Sequence, residues 1–439
     1  MKDFEMNFQD LIPANMEKKG QVVLDSLLRP IKILWEQRKI PEEGWNDETI
    51  ELCLKLFAGM DTDKDPKAVR IGEREARVAS PLISKLSYGF NHGIGRSGDI
   101  AAPQPKAPGT SILYQITNRL ALQALKKFGM PNIKSAIVVP LSTGMSIGLS
   151  FVPIRKKVDQ KVVLCPRVDH TSPIKGLELA GFTPRIIEGR LEGDAVRVNP
   201  EDIAQSIDNE TVAILSTTTF FPPRESDNIK EIAKIAQEHD LYHIINNAYG
   251  VQSRKIMKQI HGAIDAGRVD AIIQSNDKNF LTPIGGAIIA SPSETFIEEV
   301  SQCYAGRATA APIIQFFAAI LSLGIQGYEK LRDVQEQNRT LLETLLLEFA
   351  EAHDERILAV DNPIACAITL NQRDPQKLGG ILYELRVTGP RAYEKGSAWG
   401  ACHSNYPNNY LCLNAAIGTT ESDIKEAVLR LEKAFGQSK

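Results

Sequence analysis

A chain of 439 residues is long enough for two or three domains around a large buried core. Its 43% apolar and 24% charged residues are ordinary for a globular protein, and a net charge of −3 excludes a polycation. Any nucleic acid must therefore be met by local basic patches. The six cysteines form no CxxC pair and no zinc-finger spacing with histidine, and scattered thiols suit a reducing cytosol. The first ten residues, MKDFEMNFQD, are acidic without an apolar run, so no signal peptide is expected. The most apolar segment, 313–325, is too short to span a bilayer and carries Gln315. A soluble cytoplasmic protein, with no membrane partner and no metal, is the expectation.

Residues 15–39 place Val22, Leu24, Leu27, Leu28, Ile31 and Leu34 at helical spacing, with Pro30 as a kink or boundary. A second helix is expected over 47–60, capped by Asn46 or Asp47. Residues 61–108 are polar, glycine-rich and aperiodic, which marks a functional loop region or a mistaken assignment. Residues 110–128 read as an amphipathic helix closed by Gly129. Short β-branched runs follow at 136–141, 162–165, 212–216, 243–246, 271–274 and 287–290, separated mostly by helical segments such as 227–238 and 254–266. That alternation predicts an α/β fold whose mainly parallel sheet is covered by helices on both faces. A helical stretch over 312–350 leads into a smaller α+β unit. Its parts are a strand at 364–370, a helix at 375–385, a strand at 410–414 and a last helix opened by Thr420 with Asp423. The expected division is a helical extension over 1–60, a large domain over 61–305, and linking helices with a small domain over 306–439.

Gly93-Ile94-Gly95-Arg96-Ser97-Gly98 matches the dinucleotide-binding pattern G-x-G-x-x-G, but 88–92 makes a poor strand and Pro103 and Pro105 block a following helix. The glycines instead let the backbone turn sharply, so that Arg96 and Ser97 face one ligand. No P-loop run is present.

Ser142-Thr143-Gly144-Met145-Ser146 follows a strand and opens a helix. Free N–H groups, a partial positive charge, Gly144 for close approach and three hydroxyls make a cradle for a phosphate monoester; a plain N-cap with a glycine-eased turn is the alternative. Lys278 lies just past another strand, where ligands bind in α/β sheets, and a partly desolvated lysine there forms an imine with an aldehyde. Its alternative is a solvated turn lysine. Asn246 or Asn247, ending the preceding strand, stands where a pyridine-nitrogen partner would be expected, though a neutral one. Outside the regular fold lie Arg70, Arg74, Arg77, Arg96, Ser97, Gln104 and Arg307, a second anion site suited to a phosphorylated substrate.

The strings GEREARV, HGIGRSGD with QPKA after it, STGMS, NNAYGVQS, DKNFLTPIGGAII and GRATA occur in this order. At these residues the chain resembles the O-phosphoseryl-tRNA:selenocysteinyl-tRNA synthase family of archaea and eukaryotes, from about residue 10 to the C-terminus. The resemblance implies a tetrameric fold-type-I pyridoxal 5′-phosphate enzyme with active sites at subunit interfaces, acting on phosphoserine-bearing tRNA(Sec) with selenophosphate. By motif match Lys278 would be the Schiff-base lysine. Ser142, Thr143, Gly144 and Met145, helped by Arg74, would hold the cofactor phosphate, with Asn246 at the pyridine ring and His170 on its face. Arg96, Ser97, Gln104 and Arg307 would take the phosphoseryl phosphate. Glu73 would repel the α-carboxylate of a free amino acid, which is an uncharged ester in the tRNA-linked substrate. Arg38, Lys39 and Arg391 match tRNA-contacting positions. Thr171, where a lysine is expected, and Asp265, where animal members carry an arginine, depart from the pattern. Two other functions compete: a pyridoxal-phosphate lyase or desulfurase acting on a free amino acid, and a non-catalytic tRNA-binding protein. The first explains Lys278 and STGMS but not the arginine set or Glu73.

Overall fold

The computed structural model describes residues 10–437. The first helix, Ala14–Gln37, runs through Pro30 and stops at Arg38, whose φ of 56° is left-handed. Only Ile31 and Leu34 of its apolar stripe are buried, while Val22, Val23 and Leu27 stay 63%, 70% and 52% exposed. Only the last turns of the stripe read from the sequence, at Ile31 and Leu34, therefore join this chain's own core. The second helix, Asp47–Gly59, starts as expected: the Asn46 side chain accepts the Thr49 N–H at 2.9 Å. It buries Cys53, Leu54 and Phe57, and Phe57 meets Phe317 edge-on at 6.3 Å.

The strands among the described residues are β1 (Ser135–Val139), β2 (Val162–Pro166), β3 (Thr183–Ile187), β4 (Arg190–Glu192), β5 (Ala195–Arg197), β6 (Thr211–Thr217), β7 (Tyr242–Asn246), β8 (Ala271–Ser275), β9 (Ala287–Ser291), β10 (Ala365–Thr369), β11 (Arg391–Tyr393) and β12 (Tyr410–Asn414). Seven form the main sheet in the order β1-β9-β8-β7-β6-β2-β3. β9 runs antiparallel to β1 and β8, and the other pairings are parallel. β6, β8 and β9 are buried at every position, which is why their centres read as short apolar runs. β3 escaped the sequence reading because it lies at the edge: Thr183 and Ile186 face outward and Pro184 sits inside the strand. The parallel strands deliver their carboxyl ends to one rim, where ligands bind in open α/β sheets.

The apolar run over 313–325 belongs to a helix far longer than itself, Ala311–Ala352, broken at Gly324 (φ 62°, ψ −175°). The segment before the second helix fills the break. Ile325 N–H donates to Pro41 O at 2.9 Å and Gln326 N–H to Glu42 O at 3.0 Å, while Trp45 N–H donates to Leu321 O at 2.8 Å. By length and composition this helix could cross a membrane, yet half of its most apolar window is buried within the fold. Its later turns carry Leu342, Leu346 and Phe349 into a separate small core with β10-β12-β11 and helices Pro375–Glu384 and Glu421–Gln437. The last helix opens on the expected reciprocal cap, Asp423 N–H to Thr420 Oγ1 at 3.1 Å and Thr420 N–H to Asp423 Oδ2 at 2.9 Å.

Candidate active site

At the rim of the parallel strands a cavity of about 380 Å³ is lined by Thr143, Gly144, His170, Asn246, Tyr249 and Lys278, with Phe220 and Phe221 on one wall. They arrive from the ends of five strands: Thr143 and Gly144 after β1, His170 after β2, Phe220 and Phe221 after β6, Asn246 and Tyr249 at β7, and Lys278 after β8. Lys278 stands on the single-turn helix Asn276–Phe280 directly after β8. That turn is held from below: buried Asn279 accepts the Val251 N–H at 3.0 Å and donates to Ala248 O and Ser275 O. Gln252 donates to Lys278 O at 3.2 Å and accepts the Ile417 N–H at 2.7 Å, joining the lysine turn to the small domain. The Lys278 amine itself lies 5.9 Å from the centre of the Tyr249 ring and has no hydrogen bond or ion pair among the described residues.

Two helices aim their N-termini at this cavity, Thr143–Arg155 and Thr171–Leu179. In the first, the opening intrahelical bond is Ser146 N–H to Ser142 O, so the N–H groups of 143–145 have no helical acceptor, and the Ser142 side chain caps none of them. Thr143 Oγ1 and Asn246 Oδ1 are buried without a hydrogen-bond partner. Orphaned polar atoms, free first-turn amides and an unpaired amine facing one space fit a phosphorylated, polar aromatic aldehyde such as pyridoxal phosphate. His170 caps the second helix through Nδ1, which accepts the Ser172 N–H at 3.3 Å. Burial, then the nearby charges of Lys278 and Arg391, hold its pKa below the ordinary histidine value, so its ring is neutral at pH 7.

Several sequence-based assignments change here. Gly144 lines the cavity, but what its missing side chain permits is a helix crossing: a Cβ would meet Ser172 O at 2.7 Å. Gly148 and Gly176 serve the same contact, and a Cβ on Gly176 would lie 2.2 Å from Gly144 O. Gly176→Ala is expected to destabilise the fold by about 1–3 kcal/mol through overpacking and to loosen cofactor retention by splaying the two N-termini; a lowered denaturation midpoint with faster cofactor loss on dialysis checks it. Ser146 offers no donor to a ligand, because its hydroxyl is spent on Ser142 O at 3.0 Å. Ser142 and Met145 do not line the cavity, and the Met145 side chain is 47% exposed. Arg74 lies elsewhere.

A second cavity, of about 600 Å³, gathers Glu73, Arg74, His92, Arg96, Ser97, Gln104, Lys106 and Arg307 from the aperiodic 61–108 region and the 301–310 turn. Left-handed glycines at 93, 95 and 98 (φ 70°, 67° and 87°) make the turns that present Arg96 and Ser97, and Ile94 pairs with Ala308 to bring Arg307 alongside. Arg96 and Arg307 have no ion-pair partner among the described residues. Arg70 and Arg77, expected to join this anion site, are instead spent on local backbone, Arg70 on Glu75 O and Arg77 on Arg70 O. None of the second cavity's residues lines the first.

The remaining basic residues divide. Arg38 lines a groove with Trp35, Arg119 and Gln104, and Lys39 is exposed beside it. Arg391 lies at the first cavity, its guanidinium 4.1 Å from the centre of the Phe221 ring. Phe220, Phe221 and Tyr249 were missed by the sequence reading, because aromatic residues in turns carry no periodic signal. Thr171 is exposed at the second helix's first position, and Asp265 is engaged by Asn132 and His261.

A profile of the family described as O-phosphoseryl-tRNA(Sec) selenium transferase, SepSecS, matches residues 60–436. The chain belongs to that family. An O-phosphoseryl-tRNA(Sec) selenium transferase of Methanococcus maripaludis is 46% identical over 439 residues, covering 99% of both chains. The crystal structure of an archaeal O-phosphoseryl-tRNA(Sec) selenium transferase superposes with a TM-score of 0.95 at 45% identity, covering 98% of this chain and 99% of that one. An Oryza sativa TDC solved with PLP and tryptamine shares the fold alone, with a TM-score of 0.61 at 11% identity over 98% of this chain and 99% of its own. The architecture is that of fold-type-I pyridoxal-phosphate enzymes.

Proposed function

We propose that the chain converts O-phosphoseryl-tRNA(Sec) to selenocysteinyl-tRNA(Sec), with pyridoxal phosphate in the first cavity and the seryl phosphate in the second. The observation that carries this reading is a pair of separate anion-fitting cavities, one holding an unpaired amine and the other two unpaired guanidinium groups. Membership of the family supports the substrate, and selenophosphate is the expected selenium donor.

Thr143 with the free amides of 143–145 would hold the cofactor phosphate, Asn246 would face the pyridine nitrogen, and His170 and Tyr249 would flank the ring. Bound there, the cofactor supplies an electron sink at the substrate's Cα. Lys278 removes the Cα proton, while Arg96, Ser97, Gln104 and Arg307 orient the phosphate that leaves Cβ, where selenium then adds. Glu73 lines the same cavity as these arginines, and its carboxylate repels a free α-carboxylate but not the ester of an aminoacyl-tRNA. The Arg38–Arg119 groove shares Gln104 with the phosphate cavity and gives the acceptor arm a basic path toward it.

Purified holoenzyme given phosphoseryl-tRNA and selenophosphate is expected to form selenocysteinyl-tRNA, and free phosphoserine to give none. Turnover of the free amino acid at a comparable rate would make the protein a lyase. Asn246 is neutral in either orientation of its amide, so it cannot hold a proton on the pyridine nitrogen as an acid would. Phosphate is a good enough leaving group to tolerate the weaker sink. Asn246→Asp is therefore expected to leave phosphate release at or below the parent rate, and a strong acceleration would refute this account.

A further inference from the structure

The second cavity contains a histidine that anion binding alone does not require. His92 is 3% exposed, and its Nε2 is buried with no hydrogen-bond partner, 3.8 Å from Oδ1 of Asp63. Oδ1 is equally orphaned, whereas Oδ2 of the same carboxylate is held by Lys64 Nζ at 2.7 Å and Asn91 Nδ2 at 3.1 Å. Two sealed polar atoms facing each other are relieved by a proton on Nε2, a carboxylate orienting an imidazole. With Nε2 beside Asp63, Nδ1 is the nitrogen left to serve the cavity that His92 lines with Arg96, Ser97, Gln104 and Arg307.

We propose that His92 gives its Nδ1 proton to the departing phosphate, and that Asp63 is the residue that positions it. The proposal rests on the reading that the seryl phosphate occupies this cavity.

As the Cβ–O bond breaks, its electron pair stays on the phosphate oxygen, and without a proton the product would be a trianion. A guanidinium neutralises charge but cannot release a proton at working pH. Lys106 is tied to Glu75. Among the groups lining the cavity this leaves His92 as the one able to hand a proton over. Hydrogen phosphate leaves, His92 becomes neutral, and it regains a proton from solvent once the cavity empties. The Cα proton goes separately to Lys278, so the step balances.

The surroundings suit a group that charges only when substrate is present. Burial, the largest influence, holds the His92 pKa below its ordinary value; Asp63, Asp61 and Glu75 oppose that and Arg307 adds to it. Lys64, Lys106, Glu73, Arg74 and Arg96 complete the charged set. An incoming phosphate dianion supplies the negative charge that the empty cavity lacks and draws a proton onto the ring.

The test uses full-length holoenzyme in single turnover on two substrates: phosphoseryl-tRNA, and 3-chloroalanyl-tRNA, whose chloride leaves without needing a proton. His92→Gln is expected to slow phosphate elimination about 10²- to 10³-fold with KM little changed, and to leave chloride elimination within about threefold of the parent. Asp63→Asn should show the same selectivity at smaller size. Equal losses on both substrates, or no loss on phosphoseryl-tRNA, overturn the proposal. Arg96→Ala separates the two readings: a raised KM alongside a normal His92→Gln rate refutes proton delivery alone, while an unchanged KM removes the phosphate seat and the proposal together. A measurement on the unsubstituted protein does not depend on any variant folding. Binding of inorganic phosphate, followed calorimetrically in buffers of different ionisation enthalpy, is expected to take up protons near neutral pH, and no uptake overturns the proposal.

Discussion

Lys278→Ala is expected to abolish selenocysteinyl-tRNA formation, with a loss on the order of 10⁴-fold or more, and to remove the visible absorbance of the lysine-linked cofactor. The amine has no competing hydrogen bond or ion pair among the described residues, so nothing within the chain accounts for its place except a ligand. Its turn is fixed by Asn279 and Gln252 through backbone atoms and not through the lysine side chain, which is more than a third exposed to the cavity. Removing that side chain should therefore leave the thermal midpoint of the cofactor-free protein within a degree or two, because exposed truncations cost little. The pairing matters: lost absorbance and lost turnover with an unchanged midpoint place the lysine in the chemistry. Lys278→Arg should behave like the alanine variant, since a guanidinium keeps the charge but forms no imine. Retention of turnover by either variant would sink the whole account of the first cavity.

What the sequence disclosed follows from where its physical signals are local. β6, β8 and β9 are legible because buried strands carry apolar centres, and the last helix because Thr420 and Asp423 cap it reciprocally. Lys278 and Thr143 stood out because each directly follows such a strand. The role of Gly144, by contrast, depends on Ser172, twenty-eight residues away on another helix, and no local pattern reports a close crossing. Arg70 and Arg77 looked like Arg96 in the sequence; only folding shows that they bond backbone within their own loop. His92 went unnoticed for the same reason, since its partner Asp63 sits on the far side of an aperiodic loop. The exposed stripe of Val22, Val23 and Leu27 shows the limit most plainly: helical periodicity announces a helix but not whether its apolar face turns to its own chain or to another.

The separation of the two cavities leads to the second large effect. If one substrate must reach both Lys278 and Arg96, and the two do not meet within a chain, a second copy has to bring its arginine cavity to the first chain's lysine cavity. Apolar side chains near both cavities support this: Val69 and Ile71, 86% and 92% exposed, precede Arg74, and Ile284, 84% exposed, follows Lys278. Leu82 and Leu86, 64% and 73% exposed, extend the apolar surface beside the loop that carries His92, and such clustering on a free surface marks an association face. Lys278→Ala is expected to be inactive alone, and Arg96→Ala close to inactive at substrate concentrations well below its raised KM. Co-expressed in equal amounts, half of the paired copies would contain one of each variant, and each mixed pair would hold one doubly damaged site and one intact site. Activity should then return to about one quarter of the parent value, a gain of more than about a thousandfold over Lys278→Ala. Sites built within a single chain would each keep a lesion whatever their neighbour, so activity that stayed at the level of the separate variants would show that lysine and arginine serve one chain, and the arrangement argued here would fall.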